Sequence, residues 1–369
     1  MDSALLATLV MGGTFVLSAT LVPPTRALAR RYGVLDEPSH RKTHTVATPR
    51  LGGLAVFLAF AGVVLAGYVM LPLLGSSPWI QRRFGAALAI LQEAHRVEGK
   101  LLAVLGGSAV AFLVGLLDDV LGARFPVLLK ATGQVTAALL LVAAGVRTSF
   151  LPGDALNLAV TILWVVGMTN AFNLLDNMDG LAAGVAFVAS AVLLINAWAL
   201  GELFISLILA AFMGSLLGFL VFNFQPASVF LGDCGSLFVG FVMGSLTLLE
   251  RYVSHASGTL FPVLMPVVVL AVPLVDTATV IVIRMREGRP IYVGDCRHLS
   301  HRLVALGMSQ RTAVLFLYLV TFCLGLGAAS LTDATLLQAL LILVQSVRFV
   351  ALVLILMFLE RASTRGGTP

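Results

Sequence analysis

Long apolar segments recur along the chain, separated by short stretches that carry charges, prolines or glycines. A helix needs about 20 apolar residues to cross the hydrocarbon core of a bilayer. Eleven segments meet or approach this length: 3–23, 51–74, 101–117, 126–144, 156–173, 181–199, 203–222, 237–249, 261–283, 312–329 and 335–359. A transmembrane barrel would show shorter, alternating segments. The pattern therefore predicts an all-α polytopic membrane protein with eleven transmembrane helices.

The composition points to the same class. Of the 369 residues, 59% are hydrophobic and 11% are charged, whereas soluble proteins carry roughly 25% charged residues. A soluble fold and a disordered chain are therefore excluded. Three cysteines are too few for a disulfide scaffold. Because we find no repeat of 20–50 residues and no low-complexity linker, we predict one transmembrane domain over residues 1–369.

The basic residues predict the orientation, because Lys and Arg concentrate in cytoplasmic loops. With loop 24–50 inside, the inner segments hold 16 of the 23 Lys and Arg residues and the outer segments hold six. We therefore expect an inner (cytoplasmic) membrane protein with its N-terminus outside and its C-terminus in the cytoplasm. The outer loop 75–100 departs from the rule at Arg82 and Arg83, and residues 84–97 could form a short interfacial helix.

Carboxylates collect on one side of this topology. A charge near membrane depth costs about 2.5–3.5 kcal/mol on insertion scales, so such residues indicate a functional site. Because the orientation rests on basic residues alone, the clustering is independent information. A divalent cation would offset the negative charge, and we predict an active site at the cytoplasmic face. The seven residues are Asp118, Asp119, Asp176, Asp179, Asp233, Asp276 and Asp295.

Asp118 and Asp119 are adjacent at the end of one predicted span. Neighbours in a helix point about 100° apart, so the two cannot face one target equally. One can approach a reacting group while the other contacts a cation or a lysine such as Lys130. Alternatively, the two aspartates have no catalytic role and only mark the end of the span, where the helix meets water.

The segment NAFNLLDNMDG, residues 170–180, spaces Asn170, Asn173, Asp176 and Asp179 by three. Each step turns about 60° back around a helix, so adjacent members share a face. Asn173 and Asp176 can converge on one ion, while Asp179 serves a neighbouring task unless the following glycine ends the helix. Oxygen donors without cysteine or histidine suit Mg²⁺ or Mn²⁺. A helix cap would explain one of the four residues.

Two further segments carry candidate chemistry. In residues 222–240, glycines flank Asp233 and could let the backbone approach a phosphate, although a plain turn explains this motif equally well. Loop 284–311 has six arginines in 28 residues, and His298 and His301 are spaced to face one site. Binding of anionic lipid headgroups would explain the arginines but not the paired histidines.

Taken in order, these segments resemble the polyprenyl-phosphate N-acetylhexosamine-1-phosphate transferase family, in its undecaprenyl-phosphate GlcNAc-1-phosphate branch. The resemblance covers about residues 33–310, and the spans beyond fit an eleven-helix member. It rests on GVLDEPSHRKTHTVATPRLGG, the Asp118-Asp119 pair, NAFNLLDNMDGLAAG, NFQPASVFLGDCGSL, PLVDTATVIVIR and DCRHLSHRLVALG.

The resemblance implies a reaction. A polyprenyl phosphate, most simply undecaprenyl phosphate, attacks the β-phosphorus of a UDP-N-acetylhexosamine, which yields a polyprenyl-diphospho-sugar and UMP. The family requires Mg²⁺, and Mn²⁺ is an alternative. The residues suit this chemistry, because phosphoryl transfer depends mainly on positioning and charge neutralisation. We expect no nucleic-acid partner, and the sequence leaves a homodimer open.

The resemblance also implies roles for individual residues. Asp233 and Asn173 match the family's metal ligands, with the catalytic Asp176 and Asp179 close by. The aspartate pair is placed near the lipid phosphate, and Asp276 matches a family position without a role that we can derive. The catalytic histidines would hold the diphosphate. The implied substrate-binding residues are Asn170, Asn223 (toward the nucleotide), Lys130, Arg297 and Arg302.

One departure bears on the substrate. Members of this branch often carry H-x-H-H where this chain has His298-Leu299-Ser300-His301. The triple histidine of the phospho-N-acetylmuramoyl-pentapeptide transferases is absent. This favours a GlcNAc-type sugar for O-antigen, teichoic acid or another envelope glycan. The alternative function is a cation- or proton-coupled secondary transporter, which would place its carboxylates near the bilayer midplane, in repeated halves.

Overall fold

The computed structural model describes residues 2–37, 47–93, 98–253, 259–289 and 297–365. Over these ranges the chain is helical apart from one antiparallel pair of short strands, β1 (Leu35–Asp36) and β2 (Thr48–Pro49). The helices are α1 (Asp2–Tyr32), α2 (Gly52–Ser76), α3 (Pro78–Glu93), α4 (Glu98–Leu121), α5 (Val127–Ala143), α6 (Asp154–Leu175), α7 (Leu181–Ala199), α8 (Leu203–Asn223), α9 (Gly232–Leu249), α10 (Met265–Val269), α11 (Ala271–Arg286), α12 (Leu299–Ala305), α13 (Gln310–Ala329) and α14 (Leu336–Arg365).

The all-α membrane class is confirmed, and each of the eleven predicted spans contains a helix. In the described ranges, nine helices are long and apolar enough to cross a membrane. A tenth span would be the pair formed by residues 261–269 and α11, which is bent by 69°. The eleventh prediction corresponds to α5, which has only 17 residues. Length and composition thus support nine or ten spans in this part of the chain.

Two predicted boundaries differ from the structure. The outer loop 75–100 is largely the helix α3, whose backbone leaves helical geometry at Phe84 (φ −128°, ψ 17°). Residues 94–97 of the predicted interfacial helix lie outside the described residues, as does Asp295. The span predicted to begin at residue 237 begins earlier, at Gly232, so Asp233 is in the first turn of α9.

Helix α9 forms the centre of the bundle. It packs against α2, α4 and α6, and 83% of its membrane-length window is buried, compared with 22% for α1 and 11% for α14. Phe238 of α9 joins Phe60 and Phe212 in a cluster whose ring centroids are 5.6–6.1 Å apart. Such aromatic pairs add stability beyond their burial. The outer helices expose leucines and valines, as a lipid-facing surface requires.

A glycine contact between α4 and α9 positions the polar end of the bundle. A Cβ atom at Gly115 would lie 2.1 Å from the carbonyl oxygen of Asp233, so no larger residue fits without displacing the backbone. Because Gly115 lies one helical turn before Asp118 and Asp119, this close approach brings both carboxylates to the beginning of α9.

Candidate active site

The ammonium group of Lys130 lies at the centre of a polar cluster at one end of the bundle. Its Nζ atom is 2.7 Å from Asp118 Oδ2, 3.1 Å from Asp233 Oδ2 and 3.2 Å from Asn173 Oδ1. The four side chains come from α5, α4, α9 and α6, respectively, and are largely buried. Three helices that are distant in sequence therefore direct oxygen atoms at the cation that a fourth helix supplies.

Asn173 is held in a single orientation within this cluster. Its Nδ2 atom donates to Asp233 Oδ1 and to Ser236 Oγ, both at 2.8 Å. Because the amide nitrogen has these two acceptors, the amide oxygen is left to face the cation. The sequence analysis did not select Ser236, although it lies one helical turn after Asp233 and thus on the same face of α9.

Asp119 diverges from Asp118 and caps the beginning of α9. Its Oδ1 accepts the backbone N–H of Asp233 at 3.0 Å, and its Oδ2 accepts that of Cys234 at 2.9 Å. Helix N-termini leave such N–H groups without intrahelical partners, and a carboxylate stabilises them through hydrogen bonds and the helix dipole. The Asp119 side chain is fully buried and 3.6 Å from Arg50 Nη2.

Gly232 is required at the turn into α9. Its φ angle is +74°, a conformation that residues with a Cβ atom rarely adopt. An added Cβ would also lie 2.1 Å from the carbonyl oxygen of Arg50 and 2.7 Å from Asp119 Oδ2. The glycine before Asp233 therefore permits tight packing of backbone and carboxylate at this turn.

Helix α6 ends at Leu175, so the predicted helical spacing does not extend to Asp176 and Asp179. Asp176 occupies the turn that follows α6. Burial raises the pKa of Asp176 well above its ordinary value, and the negative charge of Asp233 adds to this effect, while Arg50 opposes it. Among the residues that the structure describes, no hydrogen-bond donor reaches this carboxylate. A bound cation would therefore be favoured beside it.

Asp179 and Asn223 connect the turn that follows α6 to the segment between α8 and α9. Asp179 Oδ2 accepts the backbone N–H of Ala227 at 2.9 Å. Buried Asn223 accepts the N–H of Gly180 at 3.0 Å and donates to the carbonyl of Val229 at 2.9 Å. The structure thus gives both side chains contacts with the backbone, and contact of Asn223 with a nucleotide stays a prediction.

Asn170 lies beside the central cluster and contacts another residue of α5. It exchanges hydrogen bonds with Gln134 at 2.6 and 3.3 Å and donates to the carbonyl of Val166 at 2.8 Å. Because Asn173 contacts Lys130, one helical turn before Gln134 on α5, the two asparagines face the same neighbouring helix, as their spacing predicts. The substrate-binding role of Asn170 stays a prediction.

A second group of side chains surrounds α12. Nδ1 of His298 lies 2.8 Å from Asp276 Oδ2, and the rings of His298 and His301 have centroids 6.2 Å apart. Arg302 donates through Nε to the carbonyl of Arg297 at 3.0 Å, and the Arg297 side chain pairs with Glu287. The predicted histidines and arginines are therefore assembled on one short helix and the two residues before it.

Ser300 connects this second group to the first. Its hydroxyl donates to Asn177 Oδ1 at 2.5 Å, in the turn that carries Asp176. The sequence analysis did not select Asn177, and it treated Ser300 only as the residue that replaces a histidine. A side chain that bridges two segments 123 positions apart leaves no local signal in the sequence.

The oxygen-rich cluster is suited to a divalent cation. Four carboxylates (Asp118, Asp119, Asp176 and Asp233) interact there with the cations Arg50 and Lys130, which leaves an excess of two negative charges if all are ionised. No three His, Cys, Asp or Glu side chains in the described ranges are arranged to hold a metal alone. The Asn173 amide oxygen supplies the further donor, and Mg²⁺ prefers such oxygens.

Comparison with known proteins shows the family of this chain. Residues 101–250 match the model of Glycosyl transferase family 4. A probable undecaprenyl-phosphate N-acetylglucosaminyl 1-phosphate transferase of Bacillus subtilis (strain 168) is 33% identical over 334 residues, which are 88% of this chain and 84% of the relative. The chain belongs to glycosyl transferase family 4. The family that the motifs predicted is thus confirmed.

Two further relatives extend the comparison. A decaprenyl-phosphate N-acetylglucosaminephosphotransferase of Mycobacterium tuberculosis is 34% identical over 339 residues, or 83% of this chain and 78% of the relative. A phospho-N-acetylmuramoyl-pentapeptide-transferase of Geobacillus kaustophilus is 28% identical over 254 residues, or 64% of this chain and 72% of the relative. The region that matches the family model includes the Lys130 cluster but not α12.

Proposed function

We propose that this protein transfers N-acetylhexosamine-1-phosphate, in the first instance GlcNAc-1-phosphate, from a UDP-sugar to undecaprenyl phosphate. The products are undecaprenyl-diphospho-sugar and UMP, and the reaction initiates a cell-envelope glycan. The observation that carries this proposal is the convergence of Asp118, Asn173 and Asp233 on the Lys130 ammonium at one end of an apolar bundle. The names of the relatives from Bacillus subtilis and Mycobacterium tuberculosis support the lipid acceptor and the sugar.

The chemistry demands positive charge, because the attacking phosphate and the sugar diphosphate are both anionic. An oxygen of the lipid phosphate bonds to the β-phosphorus, and the bond from that phosphorus to the oxygen that bridges to the α-phosphate breaks, which releases UMP. Mg²⁺ would supply Lewis-acid neutralisation when bound. Asp233 and Asn173 would hold it, with Asp118 and Asp176 close by.

Asp118 positions Lys130 in this proposal. The two side chains form an ion pair of 2.7 Å, and Lys130 also contacts the metal-binding side chains. A phosphate monoester is already mostly ionised near neutral pH, since its second pKa is about 6. The lipid phosphate therefore requires no general base. Lys130 is placed to attract it, and Asp118 fixes where that ammonium lies.

The α12 group provides the contacts for the sugar diphosphate. Arg302 and Arg297 are permanently charged, and His301, beside His298, can donate a hydrogen bond to a phosphate oxygen. Ser300 joins α12 to the Asp176 turn through Asn177, so both halves of the site form one unit. We place this unit at the cytoplasmic face, where UDP-sugars are made available.

Transport is not supported as an alternative. Coupled transporters bind their ions near the bilayer midplane. Here Asp118, Asp176 and Asp233 lie at or just beyond the ends of helices. The similarity to transferases over most of the chain points in the same direction.

The test is a transfer assay with purified protein in detergent, undecaprenyl phosphate, Mg²⁺ and radiolabelled UDP-GlcNAc. We expect label in the organic phase that disappears with EDTA and with Asp233→Ala. The matched control is Asp154→Ala, since Asp154 is a surface residue paired with Arg147. Labelling only with another UDP-N-acetylhexosamine would keep the proposed reaction and replace GlcNAc by that sugar as the proposed substrate. Absence of labelling with every such donor, in folded protein, would overturn the proposal.

A further inference from the structure

A buried aspartate on α11 contacts the histidine that precedes α12. Asp276 is 1% exposed and His298 is 4% exposed, and Asp276 Oδ2 lies 2.8 Å from His298 Nδ1. The second carboxylate oxygen, Oδ1, accepts the backbone N–H of Leu299 at 2.6 Å. One carboxylate thus contacts both a histidine ring and the backbone of the helix that carries the histidine pair.

Asp276 is held rigidly enough to position a ring. It lies on the inward stripe of α11 with Val280, Ile283 and Arg284, all of them buried. Positions three, four and seven apart share one helix face, so this stripe fixes how α11 faces the rest of the bundle. The contact with Leu299 then fixes the beginning of α12 relative to that stripe, because it satisfies an N–H group that the helix itself leaves unpaired.

The chemistry of the contact selects one form of the imidazole. An ionised carboxylate only accepts hydrogen bonds, so Nδ1 of His298 must carry the hydrogen. Nε2 is then the nitrogen that is left for a ligand. In this tautomer Nε2 carries a lone pair, so it accepts a hydrogen bond from a hydroxyl or N–H group of a ligand. Carboxylates that orient histidines in this way are effective because they set both the ring orientation and the tautomer.

We propose that Asp276 is a positioning residue for His298, which it holds with Nδ1 protonated so that Nε2 accepts a hydrogen bond from a hydroxyl group of the UDP-sugar. The identity of this ligand, a UDP-sugar, rests on the proposed function. Asp276 itself touches neither substrate nor reacting atoms. Its effect on transfer is therefore exerted through the imidazole of His298.

Asp276→Asn is the sharpest test because it separates the two contacts. The amide oxygen of asparagine can still accept the Leu299 N–H, so the cap on α12 is retained. Its amide nitrogen would face His298 Nδ1 as a donor, which forces the hydrogen onto Nε2. We expect kcat/KM for UDP-GlcNAc to fall by about 10–100-fold, the usual cost of losing such an orienting partner. Asp154→Asn is the matched control and should leave transfer unchanged.

A spectroscopic measurement tests the tautomer without relying on activity. The chain has six histidines, so protein labelled with ¹⁵N-histidine gives a small set of ring signals, and His298→Gln identifies the one from His298. We expect Nδ1–H in the unaltered protein and Nε2–H in Asp276→Asn. A His298 signal that is identical in both proteins would overturn the inference, even if the protein transfers no sugar phosphate.

A double-substitution cycle separates positioning from a purely structural role. If Asp276 acts through His298, adding Asp276→Asn to His298→Gln should cost little further activity. Fully additive losses would contradict the inference. If Asp276→Asn fails to fold, Asp276→Glu keeps an acceptor and should retain the Nδ1–H signal. Unaltered transfer by Asp276→Asn in an active protein would refute the positioning role and leave the proposed function intact.

Discussion

The hydroxyl of Ser300 donates a hydrogen bond of 2.5 Å to the amide oxygen of Asn177. Ser300 belongs to the short helix of histidines and arginines, and Asn177 follows Asp176 in the turn after α6. This bond therefore couples the proposed diphosphate-binding group to the proposed metal-binding group. The serine that replaces a family histidine is thereby part of the framework of the site.

Removal of this bond should weaken transfer moderately. A neutral hydrogen bond contributes about 0.5–1.5 kcal/mol, so Ser300→Ala should lower kcat/KM by roughly 2–12-fold. Ser300→Thr, which keeps the hydroxyl, is the matched control. The measurement is steady-state transfer at varied UDP-GlcNAc. Equal kinetics for the alanine variant and the unaltered protein would show that the coupling is unimportant.

Replacement of Lys130 by methionine should separate metal binding from catalysis. The ammonium competes with a metal ion for the oxygens of Asp118, Asn173 and Asp233. Lys130→Met should therefore lower the Mg²⁺ concentration needed for half-maximal transfer, while kcat falls by about 100-fold or more because the charge that attracts the attacking lipid phosphate is lost. The check is a Mg²⁺ titration of both proteins. A higher Mg²⁺ requirement in the variant would contradict this assignment.

The adjacent aspartates should have opposite phenotypes. Asp119 caps α9 from a fully buried position, so Asp119→Ala should reduce the free energy of unfolding by about 2–4 kcal/mol. Asp118 is partly exposed and contacts Lys130, so Asp118→Ala should reduce transfer strongly with little loss of stability. Thermal unfolding in detergent and the transfer assay, applied to both variants, distinguish the two roles. Equal melting temperatures for the two variants would argue against the cap.

Glu250, at the opposite end of α9, should make stability depend on pH. Burial raises its pKa from 4.5 to about 8, nearby Glu202 acts in the same direction, and the hydrogen bond from Asn196 opposes the shift. The folded state therefore binds the proton more tightly than the unfolded state. Its stabilising contribution is complete below about pH 4.5 and is lost as the pH rises through about 8.

Replacement of Glu250 by glutamine should remove this dependence. The amide cannot ionise, so the free energy of unfolding of Glu250→Gln should decline less between pH 6 and pH 9 than that of the unaltered protein, by on the order of a few kcal/mol. The measurement is the melting temperature of both proteins across this pH range. Other titrating groups affect both proteins alike. Parallel melting curves across this range would show that Glu250 remains ionised in the fold.

Local patterns predicted much of the molecule. Each of the eleven apolar segments that hydropathy identified contains a helix, because a span must be continuously apolar. The angular separation of helical neighbours indicated that Asp118 and Asp119 face different targets, and the structure places Lys130 against Asp118. The clustering of seven aspartates on one side of the predicted topology indicated one polar end of the helical bundle. Those aspartates that the structure describes lie at that end.

Contacts between distant segments escaped the sequence analysis. The early start of α9 depends on Asp119, more than a hundred residues before it, and hydropathy cannot register such a cap. Asn170 pairs with Gln134 on α5, a contact that the spacing of residues within α6 does not reveal. Asp276 had no derivable role because its partner His298 lies in another element, 22 positions later. Each of these features depends on the tertiary arrangement of helices.

The cap that Asp119 places on α9 also bears on the order of biogenesis. The N–H of Cys234, which Asp119 accepts, is synthesised 115 residues after the carboxylate itself. At translation rates of about 5–20 residues per second, roughly 6–23 s separate the two events. During that interval the Asp119 carboxylate lacks the N–H groups that it caps in the folded protein. The cap, and the Lys130 cluster that includes Asp233 of α9, can therefore be completed only after α9 has been synthesised.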